Sequence, residues 1–178
     1  MTAHEVNNSI MIDIGANIGN HTLFFCNELN PNRVYAFEAV KDTFMILQRN
    51  IKLNNLDDRA EAFCLGLSDK GAKGEIADTY TDNIGATSLK EGDGDIVFKR
   101  LDDFDYENVR FIKIDVEGME LQVLKGGENT IRKNRPYIMM ESFSQSFEYD
   151  SEYLRKMGYN WITVKENMNY LFIPEEEQ

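Results

Sequence analysis

Short runs of apolar residues alternate along the chain with longer segments whose apolar side chains recur at helical spacing. The apolar runs predict buried strands at 10–14, 33–37, 60–65, 110–116 and 136–141. The amphipathic segments predict helices over 20–29, from Phe44 to Leu53, from Leu121 to Arg132 and over 151–157. Strands that alternate with helices favour a parallel sheet with helices on its faces.

Two parts of the chain depart from this alternation. Residues 161–164 and 169–173 are predicted to form an antiparallel pair of strands. Residues 69–95 are rich in glycine and small polar residues, with a short strand predicted near 74–77 and another over 96–101. The segment 78–95 is predicted as a long loop, and such a loop is either functional or a simple mobile insertion.

The first predicted strand runs into a turn that contains two glycines, Asp13-Ile-Gly-Ala-Asn-Ile-Gly19. A strand, a glycine turn and a helix start make a nucleotide-sized pocket in an open α/β sheet. The turn lacks the Gly-x-Gly-x-x-Gly pattern of dinucleotide sites and the Gly-Lys-Ser/Thr of P-loops. Its spacing resembles the first motif of S-adenosylmethionine-dependent methyltransferases. An ordinary corner between strand and helix is the alternative.

Acidic residues stand at the carboxyl ends of three predicted strands, at Asp13, Glu38 and Asp115. In an open parallel sheet these ends line one crevice, where ligands bind. Glu38 follows Gly19 at about the twenty-residue distance that a helix and a return strand require. A carboxylate there accepts two hydrogen bonds from a ribose diol, so we expect Glu38 to bind a ribose.

The strand that contains Asp115 carries further charged residues. Asp115 is expected to orient a donor or to take a proton from an acceptor, while Glu117 either joins it or caps the next helix. Lys113 lies on the same strand face as Asp115, and a buried lysine is costly unless it is paired. Glu141 on the adjacent strand is the predicted partner of Lys113. A magnesium site formed by Asp115, Glu117 and Glu141 is kept as an alternative.

Composition limits the classes of function. The 178 residues are enough for one domain with a substantial core. The net charge of −12 argues against nucleic acid as the main partner. No apolar run reaches membrane-spanning length, and no signal segment begins the chain. Cys26 and Cys64 lie in apolar surroundings without metal-ligand spacing, so a cytoplasmic protein with reduced cysteines is expected.

Four segments taken together resemble the FkbM-type S-adenosylmethionine-dependent methyltransferases. They are Met11–Gly19, Val34–Glu38, Leu67–Asp69 and Ile112–Leu121, and the Ile-Lys-Ile-Asp-Val-Glu-Gly of the last is the most specific. The resemblance runs from residue 10 to residue 164. It implies one methyltransferase domain over 1–178, with a Rossmann-like α/β fold. The implied seven-stranded class I sheet is mostly parallel with an antiparallel C-terminal strand, and helices cover both faces.

The resemblance also implies S-adenosyl-L-methionine as the cofactor and assigns residues to it. By matching positions, the cofactor site comprises Asp13, Gly15, Ala16, Asn17, Gly19, Glu38, Ala39, Leu67, Ser68 and Asp115. The glycine turn would surround the methionine part, Glu38 would hold the ribose, and Leu67 and Ser68 would border the adenine. Asp115 and Glu117, from the strand-end reasoning above, are the candidate catalytic residues. Because family members mostly O-methylate sugars and natural products, a small-molecule or carbohydrate acceptor is expected.

These observations lead to the hypothesis of methyl transfer to a hydroxyl group. Asp115 or Glu117 would remove the hydroxyl proton. The 78–95 segment, with Tyr80, Asn83, Thr87 and Ser88, is expected to form a lid over the acceptor.

Two other functions are compatible with the sequence. They are a non-catalytic S-adenosylmethionine-binding module and a methyltransferase that acts on a nitrogen or macromolecular acceptor. A short dehydrogenase is disfavoured because the third fingerprint glycine and a Tyr-x-x-x-Lys pair are missing. A nucleic-acid methyltransferase is disfavoured by the charge and by the lack of an Asn/Asp-Pro-Pro-Tyr segment.

Overall fold

The structure, a computed structural model, describes residue 6 and residues 8–79, 87–142, 146–165 and 168–175. These residues form eleven strands: β1 (Ile10–Ile14), β2 (Arg33–Phe37), β3 (Ala60–Phe63), β4 (Gly66–Leu67), β5 (Ala72–Thr79), β6 (Thr87–Glu91), β7 (Ile96–Lys99), β8 (Val109–Ile114), β9 (Tyr137–Glu141), β10 (Tyr159–Lys165) and β11 (Asn169–Pro174). The strand predictions for 10–14 and 33–37 are confirmed residue by residue.

Five α-helices connect the strands of the described ranges. They are α1 (Asn20–Phe24), α2 (Lys41–Leu53), α3 (Glu120–Gly126), α4 (Glu128–Asn134) and α5 (Phe147–Lys156). Helix α1 continues into a wider π-helical turn over Phe25–Leu29, and a short 3-10 helix spans Leu101–Phe104. None of the helices within the described part of the chain has the length and apolar character needed to cross a membrane.

The larger of two sheets has seven strands in the order β10-β11-β9-β8-β1-β2-β3. The pairs β1–β2, β2–β3, β1–β8 and β8–β9 are parallel. Strand β11 runs antiparallel to both β9 and β10, which confirms the predicted antiparallel pair near the C-terminal end. The chain therefore has an α/β fold with a mixed seven-stranded sheet and helices.

Alternating side chains of the central strands build two separate hydrophobic clusters. Met11, Val34 and Ala36 point to one face, where they join Phe25 of the π-helical turn and Leu47 and Ile51 of α2. Ile12, Ile14 and Ile112 point to the other face, where they join Val123, Leu124 and Leu154 of α3 and α5. Because successive strand residues face opposite sides, helices pack on both faces of the sheet.

The segment predicted as a glycine-rich loop contains part of a second sheet. This sheet has the order β4-β7-β5-β6, and β5 and β6 pair antiparallel with Ile76 opposite Leu89. A Cβ at Gly74 would stand 2.1 Å from Cε2 of Phe98, so this glycine allows the ring to pack against the strand. The prediction of an unbroken loop over 78–95 was therefore wrong for residues 78–79 at the end of β5 and for Thr87–Glu91. Tyr80 and Asn83 lie outside the described residues.

Candidate active site

A cleft of about 770 Å³ opens at the carboxyl ends of β1, β2 and β8. Such a volume is typical of small-molecule sites. The two turns that follow β1 and β2 line it, together with the smaller sheet and the segment after β8. The lining includes Gly15, Ala16, Asn17, Glu38, Ala39, Leu67, Thr87, Leu89, Phe98, Lys113, Asp115, Glu117 and Glu141. The position agrees with the crevice predicted from the strand ends.

The glycine turn forms the floor between β2 and β8. The backbone N–H groups of Gly15 and Ala16 both donate to the carbonyl oxygen of Phe37, at 3.0 and 2.9 Å. Gly15 has φ +73°, and a Cβ there would stand 1.8 Å from the carbonyl oxygen of Asp115. Only glycine fits this conformation and this approach. The turn thus brings the strand ends with Glu38 and Asp115 to opposite sides of one floor.

Glu38 joins the glycine turn to the start of α2. Its Oε2 accepts from the backbone N–H of Asn17 at 2.9 Å, and its Oε1 accepts from that of Val40 at 2.8 Å. Burial raises the pKa of Glu38, while these two backbone donors act in the opposite direction. Each carboxylate oxygen can accept more than one hydrogen bond. The side chain is therefore fixed by the protein and still able to accept from a ligand.

Asp13 and Lys113 form a buried ion pair beneath the glycine turn. Asp13 is fully buried, and its Oδ2 accepts from Thr22 Oγ1 at 2.6 Å. Lys113 Nζ lies 3.4 Å from Asp13 Oδ1, which is within ion-pair distance, and Oδ1 has no hydrogen-bond partner among the described residues. Nζ also lies 3.2 Å from Asp115 Oδ2 and donates to the carbonyl oxygen of Gly15 at 2.9 Å.

The predicted pair of Lys113 with Glu141 is replaced by these contacts. The parallel register sets Asp13 directly opposite Lys113 on β1, whereas Met139 is opposite Lys113 on β9. Burial acts to lower the pKa of Lys113, but Asp13 and Asp115 outweigh it and the net shift is upward. Lys113 therefore stays charged. It lines the cleft although it was not predicted as a site residue, and the signal was a charge within a buried strand.

Asp115 and Glu117 both reach the cleft, as predicted, but in different surroundings. Glu117 has a left-handed backbone with φ +53° and makes no hydrogen bond or ion pair with any described residue. Burial, then the carboxylates of Asp115, Glu141 and Glu120, raise its pKa.

Glu117 does not cap helix α3. The helix begins after Met119 without a side-chain cap, and the Gly118 N–H donates instead to Glu120 Oε1 at 3.0 Å. Glu117 therefore lines the cleft and takes no part in the start of the helix.

Three residues assigned to the cofactor by resemblance do not line the cleft: Asp13, Gly19 and Ser68. A Cβ at Gly19 would stand 2.7 Å from Leu47 Cδ1, so this glycine lets α1 approach α2. Ser68 is fully buried, and its hydroxyl donates to Asp69 Oδ1 at 3.2 Å. These residues support the walls of the cleft. Leu89 and Phe98, by contrast, line it without having been predicted as site residues. Phe98 lies on β7, within the strand predicted over 96–101, whereas the strand that contains Leu89 was predicted to be a loop.

Metal ligation was one alternative for the acidic residues. Within the described ranges, no group of three or more His, Cys, Asp or Glu side chains is arranged to hold a metal ion. Asp115, Glu117 and Glu141 nevertheless line the same cleft, and Asp115 pairs there with the buried Lys113.

Comparisons with known proteins identify relatives of the chain. Methyltransferase sdnD of Sordaria araneosa is 28% identical over 163 residues, which cover 70% of this chain and 62% of that protein. The hexuronic acid methyltransferase AglP of Haloferax volcanii is 30% identical over 135 residues, which cover 69% of this chain and 52% of that protein. The chain thus spans between half and two thirds of the length of these curated relatives.

Solved structures show the same fold. Methyltransferase FkbM from Methylobacillus flagellatus KT superposes with a TM-score of 0.68 at 22% identity, covering 93% of this chain and 43% of that one. An rRNA methylase from Streptococcus thermophilus gives 0.62 at 13% identity, with 96% and 88% covered. The family described as the methyltransferase FkbM domain matches residues 13–171, which include the glycine turn, Glu38 and Asp115. The chain therefore belongs to the FkbM methyltransferase family.

Proposed function

We propose that the chain binds S-adenosyl-L-methionine and transfers its methyl group to a hydroxyl of a small molecule or sugar. One observation carries the proposal. Glu38 directly follows β2 beside the glycine turn, is held by the N–H groups of Asn17 and Val40, and keeps acceptor capacity toward the cleft. The two hydroxyl groups of a nucleoside ribose are able to donate hydrogen bonds to this carboxylate. When bound, the donor supplies a sulfonium that makes its methyl group electrophilic.

The described residues suit the parts of this donor in different ways. Gly15, Ala16 and Asn17 line the part of the cleft between Glu38 and Asp115, where the amino-acid moiety would lie. Glu38 and Ala39 would hold the ribose, and Leu67 offers an apolar wall for a base. The strand order and the single reversed strand β11 support a Rossmann-like class I arrangement of the sheet, which we propose acts as one domain.

The acceptor would bind where the segment after β8 meets the smaller sheet. Asp115 and Glu117 stand on one side as candidate proton acceptors, and Thr87 and Leu89 of β6 stand on another. The protein would mainly align donor and acceptor, which accounts for much of the rate of a methyl transfer. Relatives named as methyltransferases, one of them for a hexuronic acid, support a carbohydrate or other small acceptor.

Calorimetry with S-adenosylmethionine and S-adenosylhomocysteine tests the donor site. The wild type is expected to bind both, and Glu38→Ala should weaken binding by about tenfold or more, because charge-assisted hydrogen bonds contribute about 1.5–3 kcal/mol. Glu61→Ala is the control, since Glu61 lies on β3 outside the cleft and pairs with Arg33. Absence of binding to the wild type, or unchanged affinity of Glu38→Ala, would contradict the proposal.

Methyl transfer to a panel of sugars, phenols and amines tests the reaction. Transfer to hydroxyl compounds supports the proposal, whereas transfer only to amines supports a nitrogen acceptor. Tight binding of S-adenosylhomocysteine without transfer to any member of the panel supports a non-catalytic binding module. Loss of activity after chelation, restored by magnesium, would support the metal-assisted alternative.

A further inference from the structure

We propose that Glu117 is the base that receives the acceptor proton, and that Asp115, fixed by Lys113, is a positioning residue. The proposal rests on the proposed function and assigns different roles to two carboxylates of the same cleft. In the sequence the two residues are equivalent, since both follow the same buried strand. In the structure they differ in the side chains that they contact.

Asp115 is held on three sides. Its Oδ2 lies 3.2 Å from Lys113 Nζ, and its backbone N–H donates to the carbonyl oxygen of Ile14 at 3.1 Å. Its own carbonyl oxygen faces the Cα of Gly15. Lys113 has three donors, which face Asp115, Asp13 and the carbonyl oxygen of Gly15. Asp115 is thus engaged in an ion pair with a buried lysine that also contacts the glycine turn, an arrangement that suits it to fix the turn.

Glu117 has the opposite environment. It lines the cleft, is half-buried, and makes no hydrogen bond or ion pair with the described residues. Its left-handed backbone is a conformation that non-glycine residues rarely adopt, and such positions cluster at active sites. Gly118 follows with φ +104° and open space where a side chain would be. The carboxylate is therefore accessible to an acceptor.

Carboxylates around Glu117 favour proton uptake. They belong to Asp115 after β8, Glu120 of α3 and Glu141 of β9. Lys113 of β8 and His21 of α1 also line the cleft. Burial and the three carboxylates raise the pKa of Glu117 above its ordinary value. A base whose pKa is closer to the working pH is more effective than an ordinary carboxylate.

The step balances as a single displacement. The bond from the methyl carbon to sulfur breaks, and its electron pair stays on sulfur to give the neutral thioether. A bond forms from the acceptor oxygen to the methyl carbon, and the hydroxyl proton passes to a carboxylate oxygen of Glu117. Product release then returns the proton to water.

The first test compares Glu117→Gln with Asp115→Asn on two probes, methyl β-D-glucopyranoside and 4-nitrophenolate. Removing a general base should lower kcat for the sugar about 10²–10⁴-fold, with little effect on a phenolate that has no proton to lose. Glu117→Gln should leave S-adenosylhomocysteine affinity within about threefold of the wild type, whereas Asp115→Asn should weaken that affinity. Full turnover of the sugar by Glu117→Gln, or unchanged affinity of Asp115→Asn, would overturn the proposal.

The second test needs no acceptor. S-adenosylmethionine carries a positive sulfonium and S-adenosylhomocysteine does not. The ratio of their affinities therefore reports the electrostatic potential at the sulfur. This ratio should rise with pH as Glu117 ionises in the wild type, and the rise should be reduced in Glu117→Gln. An unchanged pH dependence in this variant would place Glu117 away from the methyl group and overturn its role. A wild type that binds neither compound contradicts the proposed function itself.

Discussion

Gly15 lies so close to Asp115 that a Cβ built on Gly15 would stand 1.8 Å from the carbonyl oxygen of Asp115. The contact joins the turn after β1 to the end of β8. The backbone N–H of Asp115 donates to Ile14 just before this contact, at 3.1 Å. The floor of the cleft is thus formed by two backbone segments in direct contact, and a side chain between them would separate them.

We expect Gly15→Ala to destabilise the protein more than Gly118→Ala. Both residues have positive φ, at +73° and +104°, so both variants suffer backbone strain of about 1–3 kcal/mol. Gly118 has no atom within 4 Å of an added Cβ, and only Gly15→Ala adds a collision with backbone. Chemical denaturation of both variants measures the difference. Equal free energies of unfolding would show that the contact relaxes without strain.

Lys113→Met should destabilise the protein by about 3–5 kcal/mol, because it leaves the buried carboxylate of Asp13 without its counter-ion. The double variant Asp13→Asn, Lys113→Met should recover part of this loss, since neither charge remains. Lys133→Met is the control, because Lys133 pairs with Asp105 and Glu107 at the surface and should matter far less. A double variant that is less stable than Lys113→Met would contradict this interpretation.

Asp150 should make stability depend on pH. It is fully buried on α5, accepts from Ser142 Oγ at 2.7 Å, and burial raises its pKa. A raised folded-state pKa gives stability that is present below the unfolded pKa of about 3.9 and lost as pH rises through the folded pKa. Between pH 3 and 7, wild-type stability should therefore fall relative to Asp150→Asn, by about 1.4 kcal/mol for each unit of pKa difference.

Urea denaturation across this pH range measures the Asp150 effect. Glu152→Gln on the same helix is the control of opposite sign, because the ammonium of Lys156 lowers the pKa of Glu152. Removing that carboxylate should take away stability that is present above its unfolded pKa. Parallel curves for the wild type and Asp150→Asn would contradict the prediction for Asp150.

If the proposed function holds, the acceptor should carry no negative charge next to the reacting hydroxyl. Asp115, Glu117 and Glu141 line this part of the cleft, and Lys113 already faces Asp13 and Asp115. Because like charges brought together cost about 1.4 kcal/mol or more, a methyl glucoside should exceed the matching glucuronide about tenfold in kcat/KM. Glu141→Gln removes one of the negative charges, so it should reduce the ratio of kcat/KM between the glucoside and the glucuronide. Faster methylation of the glucuronide by the wild type would contradict the prediction.

The sequence alone allowed the prediction of the central strands and of the position of Glu38 beside the glycine turn. Strands β1 and β2 are short, mainly apolar runs whose side chains are mostly buried, which few other local structures accommodate. The spacing from the glycine turn to Glu38 is set by one helix and one return strand, so geometry fixes where the carboxylate arrives. The contact of Glu38 Oε2 with Asn17 N–H follows from that placement.

Other parts depend on tertiary contacts that no local pattern contains. The Asp13–Lys113 pair comes from the register between β1 and β8, which are far apart in sequence. Helix α5 begins at Phe147, before the predicted 151, because Phe147 packs on Tyr170 with ring centroids 3.8 Å apart. The left-handed backbone of Glu117 has no signature in its residue type. These contacts determine the roles of the charged residues. The sequence therefore allowed the charged residues to be predicted, but not the partners with which they interact.

The cleft is built from two sheets that share no hydrogen-bonded strand pair among the described residues. Thr87 and Leu89 lie on the smaller sheet, whereas Glu38 and Asp115 follow strands of the larger one. Substitutions at Thr87 or Leu89 reshape one side of the cleft and leave the register of β1, β2 and β8 intact. The shape of the cleft entrance is therefore separable from the backbone contacts that hold the glycine turn.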